Sequence, residues 1–270
     1  MLVNELQQHR GGLIQKMNET IKKTIYVGKI LLLFVVFMVV IFFVLTNIFL
    51  LFFPETTSSV RNMQYKIAPV GSVVKFGRHE QDGNLDNGPE DIKWIVLARE
   101  ANKLLLISKY SLLTSSYVPD AEFWESCTKD IPLDLTWESS IPRSVLNSEF
   151  YSQAFTEEER KKIALTTVIP DKDPSGNATD EPTTQDFVFI LSASEATKYF
   201  RNDNARACNV TNYLVQRDEM KAKFSEWWLR SLGEIDGCMA LIEGYGAIYH
   251  RGSSASSVYQ LRPALWLDIS

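Results

Sequence analysis

Histidine is scarce in this chain, and the three present, His9, His79 and His250, stand far apart. No H-x-H or H-E-x-x-H pairing occurs, so the familiar histidine metal sites are excluded. The three cysteines, Cys127, Cys208 and Cys238, show no C-x-x-C spacing. They allow at most one intramolecular bridge. They read as small buried hydrophobes, with a Cys208–Cys238 bridge as the alternative. A phosphate-cradling Gly-Lys-Ser/Thr loop is missing. Gly252–Ser256, G-S-S-A-S, lacks the second glycine of a nucleophile elbow. Two S-x-x-K tetrads, Ser72–Lys75 and Ser126–Lys129, lack the S-D-N and K-T-G elements that accompany them in penicillin-interacting enzymes. Nothing in the pattern sets a nucleophile beside a base, so we expect no catalytic residue, no cofactor and no metal.

The Asp82–Gly88 segment, DGNLDNG, tests that expectation. Asp82, Asn84 and Asp86 match the first three ligand positions of a calcium loop, but Asn87 stands where glycine is required and Lys93 where the bidentate glutamate belongs. It reads as a polar turn.

Charge is absent over one long stretch. Ile30 to Phe53 carries no ionisable side chain, and only Thr46 and Asn47 interrupt the apolar run. As a helix it would extend about 36 Å, enough to cross a hydrocarbon core of about 30 Å. A cleaved signal peptide fits less well, because its apolar region is shorter and ends in small residues. Here Phe52, Phe53, Pro54 and Glu55 follow. We expect an uncleaved transmembrane helix over 25–53, preceded by a cytoplasmic amphipathic segment over 1–24. Five basic and two acidic residues lie before residue 54, and 23 and 31 after it. The basic flank marks the cytoplasmic side, which puts the C-terminal part outside the cell membrane in single-pass topology. The lipid bilayer is thus the first expected partner. The acidic exterior argues against nucleic acid.

Residues 54–69 are polar and bounded by proline, which predicts a linker. Residues 70–270 suit one domain. Strands are expected at Val73–Phe76, Ile92–Ala98 and Lys103–Tyr110, with Glu100-Ala101-Asn102 as a tight connection. Helical spacing runs from Trp137 through Ile141, Val145 and Leu146. Thr156 with Glu159 forms a capping box ahead of a short helix. A strand at Ala164–Ile169, a polar loop at Asp171–Asp186 and a strand at Phe187–Leu191 follow. Ser192 or Ser194 caps a helix through Tyr199-Phe200. A helix near Gln216–Phe224, a strand at Trp227–Ser231 and short glycine-punctuated pieces complete an α+β pattern of short antiparallel strands with inserted helices.

Trp94, Trp137, Trp227, Trp228 and Trp266 are assigned to the core, where each buries roughly 150–250 Å². Arg230 and Arg262 adjoin apolar runs and are expected to pair with buried carboxylates or carbonyls, Asp186 being one candidate. A ligand surface is expected along Gly233–Tyr259, where Tyr245, Tyr249, His250, Arg251 and Tyr259 alternate with glycine and serine. The alternative is a meander whose aromatics pack inward.

From Val74-Lys75-Phe76-Gly77-Arg78 onward the chain resembles a bacterial domain family of unknown function, DUF6273. The resemblance recurs at Glu80–Leu97, Leu104–Leu112, Leu135–Ile163, Thr183–Phe200, Trp227–Ser231 and Leu261–Leu267, in order, and covers roughly Gly71 to Ser270. It implies similarity to C-type-lectin-like and formylglycine-generating-enzyme-like folds, in which strands near the C-terminus bring both ends together and frame a displayed loop. Two departures stand out. The family's W-L-R-S continues with Pro-Gly, where this chain has Leu232-Gly233. The cysteine pair that holds copper in the formylglycine-generating enzymes is reduced to Cys238. The expectation is therefore a surface-displayed binding module for a cell-wall glycan or an envelope protein. An enzyme on a lectin-like scaffold, or a membrane scaffold acting only in assembly, is the alternative.

Overall fold

A computed structural model describes residues 26, 28–45, 62–129, 131–218 and 224–270. The chain divides into two compact units, Met1–Arg61 and Asn62–Ser270. In the first, helix α1 spans Gly28–Leu45, with a mean hydropathy of 3.0 and no burial against protein. Its length and composition suit a membrane anchor or a signal sequence alike. The amphipathic segment over 1–24 and the end of the run over 46–53 lie outside the described residues.

The second unit opens with helix α2, residues 62–67, in the stretch expected as a linker. Tyr65 explains the difference. Its ring is buried, its hydroxyl donates to the Lys75 carbonyl, and Arg99 donates to the carbonyls of Tyr65 and Ala68. Residues 62–69 are thereby part of the folded unit.

Four strands form the first sheet, in the order β1 (Val73–His79), β2 (Glu90–Glu100), β3 (Lys103–Ser108) and β13 (Ala264–Asp268), all antiparallel. β3 is central and every residue from Leu104 to Ser108 is buried, which is why its sequence is a continuous apolar run and not an alternating one. The β2–β3 connection turns at Ala101, the one non-glycine residue with positive φ among those described, at +45°.

The second sheet has five strands, in the order β11 (Ile248–Ser254), β10 (Cys238–Ile242), β9 (Trp227–Leu232), β12 (Tyr259–Leu261) and β5 (Leu113–Ser115). Only β9 and β12 run parallel in it. Two short pairs complete the sheets. β4 (Tyr110–Ser111) runs parallel to β8 (Asn209–Val210), and β6 (Thr166–Val168) runs antiparallel to β7 (Thr184–Asp186). Gly246, at φ +95°, allows the β10–β11 hairpin to sit against the chain at Asp203. A Cβ there would fall 1.8 Å from the Asp203 carbonyl oxygen.

The helices of this second unit are short, and several begin at a side-chain cap. α3 spans Asp120–Lys129 and buries none of its residues. α4 (Ile141–Val145) continues through a π-turn at Leu146–Phe150 into α5 (Tyr151–Ala154). The helix expected from Trp137 therefore starts four residues later, at the Ser140 cap. α6 (Glu157–Arg160) has the Thr156–Glu159 capping box, and α7 (Ala193–Tyr199) has one from Ser192 and Glu195. α8 covers Asp203–Arg206 and α9 Asn212–Arg217. The helix expected near 216–224 is thus displaced toward the N-terminus, and residues 219–223 lie outside the described set. The strand expected at Phe187–Leu191 reduces to one bridge, Phe189 to Ala264. Asn147 stands in for a neighbouring strand, accepting from the amides of Phe187 and Val188 and donating to the Val188 carbonyl.

Trp94, Trp227 and Trp228 are fully buried, Trp137 nearly so, and Trp266 is half-buried against the core. Asp186 is buried but serves neither Arg230 nor Arg262. It pairs with Arg143 at 2.7 Å and accepts from Trp137 Nε1 at 2.9 Å. Arg143 reaches it because α4 presents its side chain toward the end of β7. Arg230 pairs with Glu195 at 2.8 Å and donates to the Ile169 carbonyl. All three cysteines are free, with Cys208 buried, Cys238 half-buried and Cys127 exposed. The Cys208–Cys238 bridge is absent, and Cys127 is no core residue.

Trp228 lies at the centre of the second sheet. Its Nε1 donates to the Ser115 carbonyl, and Tyr117 and Tyr259 meet it edge-on at 6.1 and 4.7 Å. Trp228→Ala should destabilise the fold by about 3–5 kcal/mol through cavity formation. Chemical denaturation of the full chain in detergent checks this, and an unchanged midpoint would remove Trp228 from the core assignment.

Candidate functional site

The five residues expected to bind ligand are divided among the β10–β11 turn, β11 and β12. Tyr245 lies exposed in the β10–β11 turn, while Tyr249, His250 and Arg251 lie on β11, the edge of the five-stranded sheet. Tyr259 turns inward onto Trp228, and its hydroxyl meets that of Ser253. The backbone of this edge is occupied, because the His250 and Arg251 carbonyls accept from the amides of Glu234 and Ile235.

Those contacts fold the β9–β10 turn back along β11. Gly233 N donates to the Cys238 carbonyl, Cys238 N to that of Ile235, and Ala255 N to that of Gly237. The turn forms one wall of a cleft of about 870 Å³, a size suited to ligand binding. α3 makes a second wall. Its Phe123 ring lies beside Gly237, where a Cβ would meet it at an ordinary contact distance of 3.4 Å. Residues 131–136 and the loop 173–181 close the remaining sides.

Asp171 fixes that loop at its start. It accepts from the Ser194 amide and hydroxyl and from the Ser231 hydroxyl, tying the loop to the first turn of α7 and to β9. Burial pushes its pKa up, but these hydrogen bonds outweigh burial and hold it below the usual carboxylate range.

The lining combines apolar and acidic groups. Phe123, Ile131, Leu133, Leu135 and Ile235 provide apolar surface, and Asp134, Asp173, Glu181, Glu234 and Asp236 provide five carboxylates. Among the described residues no lysine, arginine or histidine lines it. Glu181 is distinct within this set. Burial raises its pKa, and neither the Trp137 amide, which it accepts at 3.3 Å, nor the nearby Arg230 cancels that effect. Asp134 adds to it by repulsion. For Asp134 burial is the largest influence, yet hydrogen bonds from Thr136 and Ser139 keep it ionised to a lower pH than usual. Cys127 and Cys238 both reach the cleft, and burial raises the Cys238 thiol above its ordinary pKa. Two buried polar atoms, the Tyr117 hydroxyl and Arg230 Nε, have no hydrogen-bond partner among the described residues. Each of those residues interacts electrostatically with Glu181.

A smaller cleft of about 440 Å³ lies between the β1–β2 connection and α9. Beside it the carboxylates of Glu80, Asp82 and Glu90 come within 4.8 Å of one another, the one metal-holding arrangement of this kind among the described residues. It draws on Glu80 and Glu90, which the calcium-loop pattern does not use. Each carboxylate already accepts a backbone amide, Glu80 from Gly83, Asp82 from Asn84, and Glu90 from Gln81 and Asp82. Asn87 also donates to Asp82, as expected of a polar turn.

These observations define an α+β domain with an acidic, apolar cleft, in a chain that carries one N-terminal helix apolar enough to cross a membrane. A family model described as "Domain of unknown function (DUF6273)" matches residues 101–269, and the chain belongs to that family. The match begins in the β2–β3 turn, although β1 and β2 share a sheet with β3. No curated protein and no solved structure matches.

The raised pKa of Glu181 has a consequence for stability. Between its ordinary value of 4.5 and its raised folded value, the folded state holds the proton more tightly than the unfolded chain. Stability is therefore lost as pH rises through that window. Glu181→Gln should raise the melting temperature at pH 7 by about 2 °C, and the advantage should vanish below about pH 4. Thermal scans at both pH values check this, and a lower melting temperature at pH 7 would contradict it.

Proposed function

We propose that this protein is a single-pass membrane protein that displays a ligand-binding module outside the cell, on a C-type-lectin-like scaffold. The observation that carries the binding reading is the cleft between α3 and the β9–β10 turn, whose lining pairs apolar surface with five carboxylates. The lectin-like reading draws support from β13, which returns to the same sheet as β1 and so brings the late strands to the early ones. An uncleaved anchor is favoured by an apolar run that continues to Phe53 without a small-residue cleavage pattern. Five basic residues before it favour a cytoplasmic N-terminus.

Of the two expected targets, a segment of an envelope protein suits the cleft better than a neutral wall glycan. Such a glycan offers no charge to match five carboxylates, and Phe123 is the one aromatic side chain among the described lining residues.

Topology is tested with C-terminal reporters. A reporter that works only outside the cytoplasm should be active, and activity confined to one that works only in the cytoplasm would overturn the orientation. The site is tested on the full chain in phosphatidylcholine nanodiscs, by ligand-observed NMR with a mixture of cationic, neutral and anionic fragments. At least one fragment should bind saturably and be lost in Ser126→Trp, which fills the cleft from α3. An absence of binding, or binding indifferent to that substitution, would reject the cleft as the site.

A further inference from the structure

Resting on the reading of the cleft as the ligand site, we infer that it recognises a lysine or arginine side chain of a protein segment. The cation sits at the carboxylates of Glu181 and Asp134, and its alkyl stem and apolar neighbours lie against Leu133, Leu135 and Phe123.

Three observations meet here. The first is an imbalance of charge, with five carboxylates and no cationic side chain among the described lining residues. Elsewhere in the same domain several acidic groups have a cationic partner. Asp186 has Arg143, Glu195 has Arg230, Asp203 has Arg206, and Asp218 has Arg217. Glu181 and Asp134 instead line the same cleft, and the charge of Asp134 makes Glu181 harder to ionise. The cation that acts on Glu181, Arg230, is already held by Glu195 and the Ile169 carbonyl.

The second is the chemistry of the carboxylates' present partners. Glu181 accepts one long hydrogen bond, 3.3 Å from the Trp137 amide, whereas Asp134 accepts from the Thr136 amide at 3.0 Å and from the Thr136 and Ser139 side chains. A carboxylate accepts several hydrogen bonds, so Glu181 above all retains oxygen lone pairs for an ammonium or guanidinium donor. A cation placed between them relieves their mutual repulsion as well as pairing with each, and partial burial strengthens both effects.

The third is the apolar surface beside these carboxylates. Lysine and arginine lay their methylene stems along such surface while the charged end finds a polar partner. Leu133, Leu135 and Phe123 provide it, and the cleft's volume leaves room for the residues that flank the cation in a peptide.

The test uses the full chain in phosphatidylcholine nanodiscs, with isothermal titration of three capped tripeptides, Leu-Lys-Leu, Leu-Gln-Leu and Leu-Glu-Leu, and of free cadaverine. The lysine peptide should bind, and weaken as ionic strength rises. The glutamine and glutamate peptides should not bind, and cadaverine should bind more weakly than the lysine peptide. Glu181→Gln and Asp134→Asn should each weaken the lysine peptide about tenfold. Because Glu181→Gln is expected to stabilise the fold at neutral pH, lost binding in that variant is not unfolding. Equal binding of the lysine and glutamine peptides, or affinity unchanged in both variants, would overturn the inference. Cadaverine binding as tightly as the peptide would overturn its assignment to a protein segment. If uncharged or anionic fragments bind and Ser126→Trp blocks them, the cleft remains the ligand site and only this inference falls. If nothing binds, both fall.

Discussion

The two main sheets depend on one buried cation where the chain passes from one to the other. β12 ends at Leu261 and β13 begins at Ala264, so Arg262-Pro263 is the crossing. Arg262 is 1% exposed, and among the described residues no carboxylate pairs with it. Its Nε donates to the carbonyl of Ser108 at the end of β3, and its Nη1 to the carbonyl of Arg206 at the end of α8, both at 2.9 Å. The guanidinium lies over the rings of Phe200 and Trp227, at 5.3 and 5.2 Å. Burial lowers its pKa. Carbonyl dipoles and ring faces meet the cost of desolvating the charge, and arginine's planar fork reaches all four groups at once. Ser108 N in turn donates to the Pro263 carbonyl, so both strands that change sheet are clamped at the same point.

That clamp reaches the cleft through a short chain of neighbours. Trp227 begins β9, and β9 runs directly into the Leu232–Cys238 turn. The same strand carries Ser231, which holds Asp171, and Arg230, which holds Glu195 at the start of α7. The turn, the loop after Asp171 and the first turn of α7 are therefore positioned by one rigid strand. A cleft whose walls come from distant segments needs such a common support if its groups are to converge.

The strands were legible because their apolar content is local. Leu104 to Ile107 and Trp227 to Leu229 are runs that only a strand covered on both faces would need, and the capping boxes at Thr156 and Ser192 are local patterns too. The DUF6273 blocks were readable for the same reason. What escaped depends on contacts across the chain. Phe187–Leu191 looks like a strand, but its amides are met by the Asn147 side chain, forty residues away. Asp186 finds Arg143 and not the arginines beside apolar runs, a choice that only the packing of α4 against β7 determines. α3 gave no apolar stripe to read because none of its residues is buried.

The binding surface shows this limit most clearly. Tyrosine, glycine and serine between Gly233 and Tyr259 look like a paratope, but much of that composition is used in building. Gly246 lets a hairpin touch the chain at Asp203, and Tyr259 packs on Trp228. The cleft takes Gly233–Cys238 from that stretch and draws Phe123, Leu133, Asp134 and Glu181 from three other segments that carry no motif. Charge placement gives the signal that composition does not. The domain's deepest arginine is served by carbonyls and rings, while carboxylates gather at a surface hollow without a lining cation. Glu181 is half-buried with its ionised form disfavoured, although a neutral amide would fit the same Trp137 hydrogen bond, and the cation we propose for the cleft would offset that cost.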